Sequence, residues 1–131
     1  QPRSRGLGDV YKRQSHMYFD YYQAPAEQEL ARGLEFEAIG GYLPIERVYS
    51  YDPGAVVEDE SQRNGILGVQ AQLWTEYIKD ARKLNHMAFP RVAALSEVAW
   101  SPLAEKNFID FQRRLESVSR HRGSSLGSDA R

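Results

Sequence analysis

Two short apolar runs and one long helical pattern organise this chain. Ile66 to Leu73 is apolar, follows Gly65 and leads into Trp74 and Glu76, which predicts a strand with an aromatic and a carboxylate at its far end. His16-Met17-Tyr18-Phe19-Asp20-Tyr21-Tyr22 is short and aromatic-rich and predicts an earlier strand. Between them, Ala24 to Glu37 is polar and Ala/Glu-rich, with Pro25 near its start, and reads as a loop with a turn of helix. Gly40-Gly41 marks a turn, Pro44 suits the first position of a short helix over Ile45–Tyr49, and Asp52-Pro53-Gly54 stops that helix. Glu58 to Asn64 is polar with helical character. Lys79 to Trp100 carries Leu84, Ala88, Val92, Leu95 and Ala99 at spacings of four, four, three and four, one face of a helix that Pro90 should kink or restart. Ser101-Pro102 ends it, and Leu103 to Leu115 predicts another amphipathic helix.

Two strands separated by more than forty residues, each followed by helix, predict parallel βα units and an α/β fold. Parallel strands that carry an aromatic and an acid to their C-terminal ends are how a (β/α)8 TIM barrel builds a site. The chain has 131 residues, whereas a complete barrel needs roughly 250. The expectation is therefore a fragment of such a barrel.

Composition narrows the class. Hydrophobic residues make up 41% and charged residues 27%, the balance of an ordinary globular chain. A formal net charge of -1 gives no electrostatic reason to expect nucleic acid or an anionic membrane. There are no cysteines, which excludes disulfides and thiolate metal sites. No apolar stretch reaches the ~20 residues of a membrane span. Residues 1–14 stand apart: they are polar, contain Arg3, Arg5, Lys12 and Arg13, and show neither helical nor strand periodicity. Gly8-Asp9-Val10-Tyr11-Lys12-Arg13-Gln14 resembles the read-through translation of a transposon-derived sequencing adapter. The expected organisation is thus a non-native segment at 1–14, a catalytic-barrel part at 15–116, and a disordered Ser/Arg/Gly-rich tail at 117–131. A basic nucleic-acid-binding arm is the other reading of the first segment.

Tyr18 and Asp20 lie two apart in a strand pattern, so their side chains point the same way. The phenol can donate a hydrogen bond and the carboxylate can accept from sugar hydroxyls. A packed core tyrosine with an aspartate capping the next turn is the plainer reading. Trp74 and Glu76 repeat the arrangement. An indole is a flat apolar wall for the CH face of a sugar, while a core tryptophan with a solvent-facing glutamate is again the plainer reading. His16, His86 and His121 fit no metal-ligand spacing, and no phosphate loop or nucleophile elbow is present. No cofactor is expected.

Five ordered blocks carry a family resemblance over roughly Ser15 to Leu115. They are His16 to Gln23, Ile39-Gly40-Gly41-Tyr42-Leu43-Pro44, Val48-Tyr49-Ser50-Tyr51-Asp52-Pro53, Gly68 to Glu76, and Met87-Ala88-Phe89-Pro90-Arg91 through Pro102. Together they resemble glycoside hydrolase family 20, the β-N-acetylhexosaminidases, and the Tyr-Phe-Asp-Tyr-Tyr-Gln form is similar to the bacterial branch. The resemblance implies the last two βα units of the catalytic barrel plus a C-terminal helix. It implies that Tyr18 donates to the carbonyl of a 2-acetamido group, that Asp20 and Glu76 hold hydroxyls on the C4 and C6 side, and that Trp74 walls the acetamide pocket. It implies a substrate-assisted mechanism, an exception to the two-carboxylate scheme, with N-acetylhexosamine-containing glycans as substrate. Export to the periplasm, cell surface or exterior is a further expectation from the resemblance.

One departure is central. The family's adjacent Asp-Glu pair, its acetamide-orienting acid and general acid, follows a Gly-rich lead-in on an earlier strand. The only adjacent Asp-Glu here is Asp59-Glu60, set in a polar stretch after Val57-Glu58, and no catalytic role is assigned to it. The chain alone is expected to be inactive. A non-catalytic sugar-binding relative, an inactive remnant, or another barrel glycosidase are the remaining readings.

Overall fold

The second apolar run becomes regular strand only over its first half. A computed structural model describes residues 9–11, 14–57 and 59–126, and divides into two units, Gln1–Trp100 and Ser101–Arg131. In chain order the first unit contains β1 (Asp9–Tyr11), α1 (Gln14–Met17), α2 (Ala26–Arg32), a 3₁₀ turn (Leu34–Phe36) and α3 (Ile45–Tyr49). A second 3₁₀ turn (Pro53–Val56), α4 (Glu60–Arg63), β2 (Ile66–Val69), α5 (Ala81–Ala88) and α6 (Arg91–Trp100) complete it. β1 and β2 pair in parallel, Asp9 with Ile66, Val10 with Gly68 and Tyr11 with Val69. Asp9–Tyr11, within the segment that resembles an adapter, forms this short strand.

Beyond β2 the chain stays extended to a single parallel bridge between Gln72 and Tyr18. Phe19 N–H donates to Gln72 O at 2.8 Å and Gln72 N–H to Met17 O at 2.9 Å. Tyr18 lies seven positions after Tyr11 where Gln72 lies only three after Val69, and the four-residue turn α1 falls within the longer path.

The expected strand at His16–Tyr22 is corrected by the same geometry. His16 and Met17 close α1, Tyr18 makes its one bridge, and Tyr22 bridges Tyr42. The carbonyls of Phe19 and Tyr21 are taken by a side chain. Arg91, fully buried, donates from its guanidinium to the carbonyls of Phe19, Tyr21 (2.9 Å) and Leu43 (3.3 Å), and to Met87 O on the preceding helix (3.2 Å from Nε). Its plane lies 4.8 Å from the Phe19 ring centroid. Burial pushes its pKa down to about 10, with Asp20 and Glu29 opposing, so it stays charged at neutral pH. Met17, Phe19, Leu43, Val48, Met87 and Ala94 are buried as well. Tyr22, Ala38 and Met87 form an adjoining cluster against Leu73 and Ile78.

Pro90 ends one helix and starts another, as its missing N–H requires. The restart changes which face is inward. Leu84 is 42% exposed, and the buried positions are Lys83, Met87 and Ala88 on α5 with Arg91, Ala94 and Val98 on α6. Of the five positions in the continuous pattern, Ala88 is buried, Val92 and Leu95 are half-buried, and Leu84 and Ala99 are exposed. Asp80 caps α5 by accepting Lys83 N–H at 2.7 Å.

The second unit holds a 3₁₀ turn (Leu103–Glu105) and α7 (Phe108–Leu126). Asn107 Oδ1 caps α7 by accepting Asp110 N–H at 3.0 Å, and Asp110 pairs with Arg114 one turn on at 2.9 Å. The tail expected to be disordered from residue 117 is helical to Leu126. Serine and arginine tolerate a helix that is already nucleated and capped upstream. Residues 127–131 lie outside the described residues.

Arg91→Ala leaves four buried carbonyls without their donor and is expected to cost about 3–5 kcal/mol of stability in urea denaturation. Arg91→Lys should recover less than half, because one ammonium cannot reach the same fork of acceptors. A loss within about 1 kcal/mol for Arg91→Ala would show that the carbonyls rehydrate.

Candidate active site

The Gln72–Tyr18 bridge sets the register of the site. Two residues beyond it on each segment lie Asp20 and Trp74, and here a side chain takes over from the ladder. Asp20 Oδ1 accepts the backbone N–H of Trp74 at 2.8 Å. The bond anchors the carboxylate and fixes the course of the chain leading into Trp74 and Glu76. Asp20 is 7% exposed, and its second oxygen, Oδ2, is buried without a hydrogen-bond partner among the described residues. An orphaned carboxylate oxygen is a standing acceptor for a hydroxyl.

Tyr18 stands beside it, edge-on to Tyr21 with ring centroids 4.9 Å apart. Burial raises the phenol pKa, and the charges of Asp20 and Glu76 and the neighbouring Tyr21 raise it further, so the hydroxyl is held as a donor. The same neighbourhood raises the Asp20 pKa. Burial is the largest cause, Glu76 adds to it, and the Trp74 N–H and Arg91 oppose it. Tyr18, Asp20 and Glu76 therefore feel one another, and the structure brings the two predicted pairs to one place. Trp74 presents its indole 53% exposed, and Glu76 is exposed.

Three supports were not foreseen as part of the site. Arg91 holds the carbonyls on either side of Asp20; its one sequence signal is a lone cation on an otherwise apolar helical turn. Gly41 has φ +66°, and a Cβ there would fall 2.5 Å from the Tyr21 ring, so only glycine lets that ring pack. Gln23 donates to the carbonyls of His86 and Phe89, tying the segment after the site to the end of α5. Among the described residues no group of histidines and carboxylates could hold a metal ion, and no helix is long and apolar enough to cross a membrane. Asp59 is spent on a cap: its carboxylate accepts Ser61 N–H at 2.9 Å, and hydrogen bonding from the Ser61 side chain, then from that N–H, lowers its pKa.

The model of the glycosyl hydrolase family 20 catalytic domain matches residues 2–103. This chain belongs to that family. The family 20 fragment is 40% identical over 102 residues to a beta-hexosaminidase of Porphyromonas gingivalis, covering 78% of this chain and 12% of that protein. It is 31% identical to a beta-N-acetylhexosaminidase of Cellulomonas fimi, covering 77% of this chain and 19% of the relative. Among solved structures, the family 20 enzyme of Streptomyces coelicolor superposes with a TM-score of 0.65 at 30% identity, over 82% of this chain and 20% of that one. A product complex of Streptomyces plicatus beta-hexosaminidase gives 0.67 at 30% identity, over 84% and 21%. The chain spans about an eighth to a fifth of these proteins. Its paired strand segments and helices are part of an α/β barrel.

Asp20 carries a consequence for stability. Its folded pKa is raised, so folding favours the protonated acid; that contribution is complete below the ordinary value of 3.8 and is lost as pH rises through the folded value. Asp20→Asn keeps an oxygen for the Trp74 N–H and removes the charge. It is expected to be more stable than the parent sequence at neutral pH, with the difference shrinking toward pH 3 in paired urea titrations. A variant that is less stable at neutral pH would mean that Arg91 compensates the charge in full.

Proposed function

We propose that this fragment supplies part of the sugar-binding and acetamide-positioning side of an exo-acting β-N-acetylhexosaminidase, cleaving terminal N-acetylglucosamine or N-acetylgalactosamine from glycans. The observation that carries this reading is the convergence of Tyr18, Asp20 and Glu76 beside the Asp20–Trp74 bond. Tyr18 donates its hydroxyl to the carbonyl oxygen of the substrate's 2-acetamido group and aims that oxygen at the anomeric carbon. The acetamide is then the nucleophile, and retention follows from two inversions through an oxazolinium ion. Orientation of an internal nucleophile is a large catalytic term. Oδ2 of Asp20 and the Glu76 carboxylate accept from hydroxyls of the terminal sugar, and the Trp74 indole offers the acetamide an apolar wall. In this reading the general acid comes from an Asp-Glu pair outside the present sequence, since Asp59 serves as a helix cap. Export from the cytoplasm is part of the same proposal.

The present chain alone should not turn over 4-nitrophenyl N-acetyl-β-glucosaminide. A chimera in which residues 15–102 replace the matching segment of the Porphyromonas gingivalis relative should, and Tyr18→Phe in it should lower kcat by roughly 10- to 1000-fold with a smaller effect on KM. A chimera that folds and binds an N-acetylglucosamine-derived thiazoline without turnover would favour a sugar-binding relative. Unchanged kcat in Tyr18→Phe removes the positioning role.

A further inference from the structure

A phenol can aim a substrate oxygen only if its own ring is held, and the ring of Tyr18 is only half-buried. The neighbour that meets it is Tyr21. Tyr21 N–H donates to Tyr18 O at 3.3 Å, closing a turn with Phe19 and Asp20 at its centre. The turn returns the two tyrosine side chains to one another, with ring centroids 4.9 Å apart and planes at 73°. That edge-on geometry sets the positive rim of one ring against the negative face of the other, which favours one relative orientation.

Tyr21 can hold its neighbour because it is held itself. Its carbonyl accepts from Arg91 at 2.9 Å. The next residue, Tyr22, bridges Tyr42 in parallel, and Leu43 N–H donates to Tyr22 O at 2.8 Å. That register lays Gly41 against the Tyr21 ring, where a Cβ would stand 2.5 to 2.8 Å from three of its carbons. Gly41 also has φ +66°, so an alanine there is both strained and crowded. The Tyr21 ring therefore has fixed backbone as well as Tyr18 for neighbours.

We propose that Tyr21 is a positioning residue for the reaction: braced against Gly41, its ring fixes the orientation of the Tyr18 phenol. This inference rests on the acetamide-positioning role proposed above for Tyr18. Tyr21 touches no substrate atom in it and acts through Tyr18 alone.

NMR of the full chain with ring-13C tyrosine reads the geometry, the Tyr18 signals being assigned by their loss in Tyr18→Phe. Tyr21→Leu keeps an apolar body without a ring and should move the Tyr18 signals toward those of free tyrosine. The buried Tyr49 and Tyr51 should stay in place as the mark of a folded chain. Tyr21→Phe should keep the parental Tyr18 signals, while Gly41→Ala, by displacing the Tyr21 ring, should follow Tyr21→Leu. Unmoved Tyr18 signals in Tyr21→Leu, or loss of the fold in both Tyr21→Leu and Gly41→Ala, would overturn the proposal. In the chimera described above, Tyr21→Leu should lower kcat by about 10- to 100-fold with little change in KM, and Tyr21→Phe should recover most of it. Added to Tyr18→Phe, Tyr21→Leu should cost less than about twofold more, because no hydroxyl is left to position. Losses that multiply would make Tyr21 a packing residue and overturn the inference. A kcat effect of Tyr18→Phe without one of Tyr21→Leu overturns this inference and leaves the role of Tyr18 standing. No effect of Tyr18→Phe removes that role, and this inference with it.

Discussion

A single guanidinium holds the first unit together. Arg91 supplies donors to carbonyls from three separate stretches, at Phe19 and Tyr21, at Leu43, and at Met87. Burying a charge in an apolar core is unfavourable unless it is fully hydrogen-bonded, and here the backbone supplies the acceptors. The exchange works in both directions. The aromatic segment cannot form a continuous ladder, so its orphan carbonyls need donors, and Arg91 needs acceptors. Each solves the other's problem.

The candidate site hangs from that knot. Asp20 lies between two carbonyls that Arg91 holds, and it reaches across to the Trp74 N–H at 2.8 Å. One oxygen is thereby committed to architecture, while the other is buried without a partner among the described residues. Burial, and then the charges the site shares, raises the pKa of both Tyr18 and Asp20. Sites that store unsatisfied polarity in this way destabilise the fold locally, and Arg91 is the compensating interaction nearby.

Local signals with a local cause were legible. Pro44 and Asp52-Pro53-Gly54 bounded α3, Pro90 separated α5 from α6, and Gly41 adopts the positive φ that its turn requires. The candidate site was legible as two aromatic-plus-acid pairs, because a two-residue spacing is a property of the chain itself. What failed had non-local causes. The inward face of α6 depends on how the helix restarts, and the strand at His16–Tyr22 was overruled by a side chain some seventy residues away in sequence.

Residue types and spacings by themselves determined that this chain is α/β, that it carries sugar-compatible acids and aromatics, and which family it resembles. Those properties rest on side-chain chemistry and backbone preference, which travel with the sequence. Only the tertiary structure decided that Asp20 bonds Trp74, that Arg91 replaces a strand partner, and that Asp20 Oδ2 and Lys83 Nζ are buried without a partner among the described residues. Each of these pairs, or fails to pair, a polar group with one distant in the chain. Desolvation and hydrogen-bond satisfaction are set by what folding places nearby, and no local pattern records them.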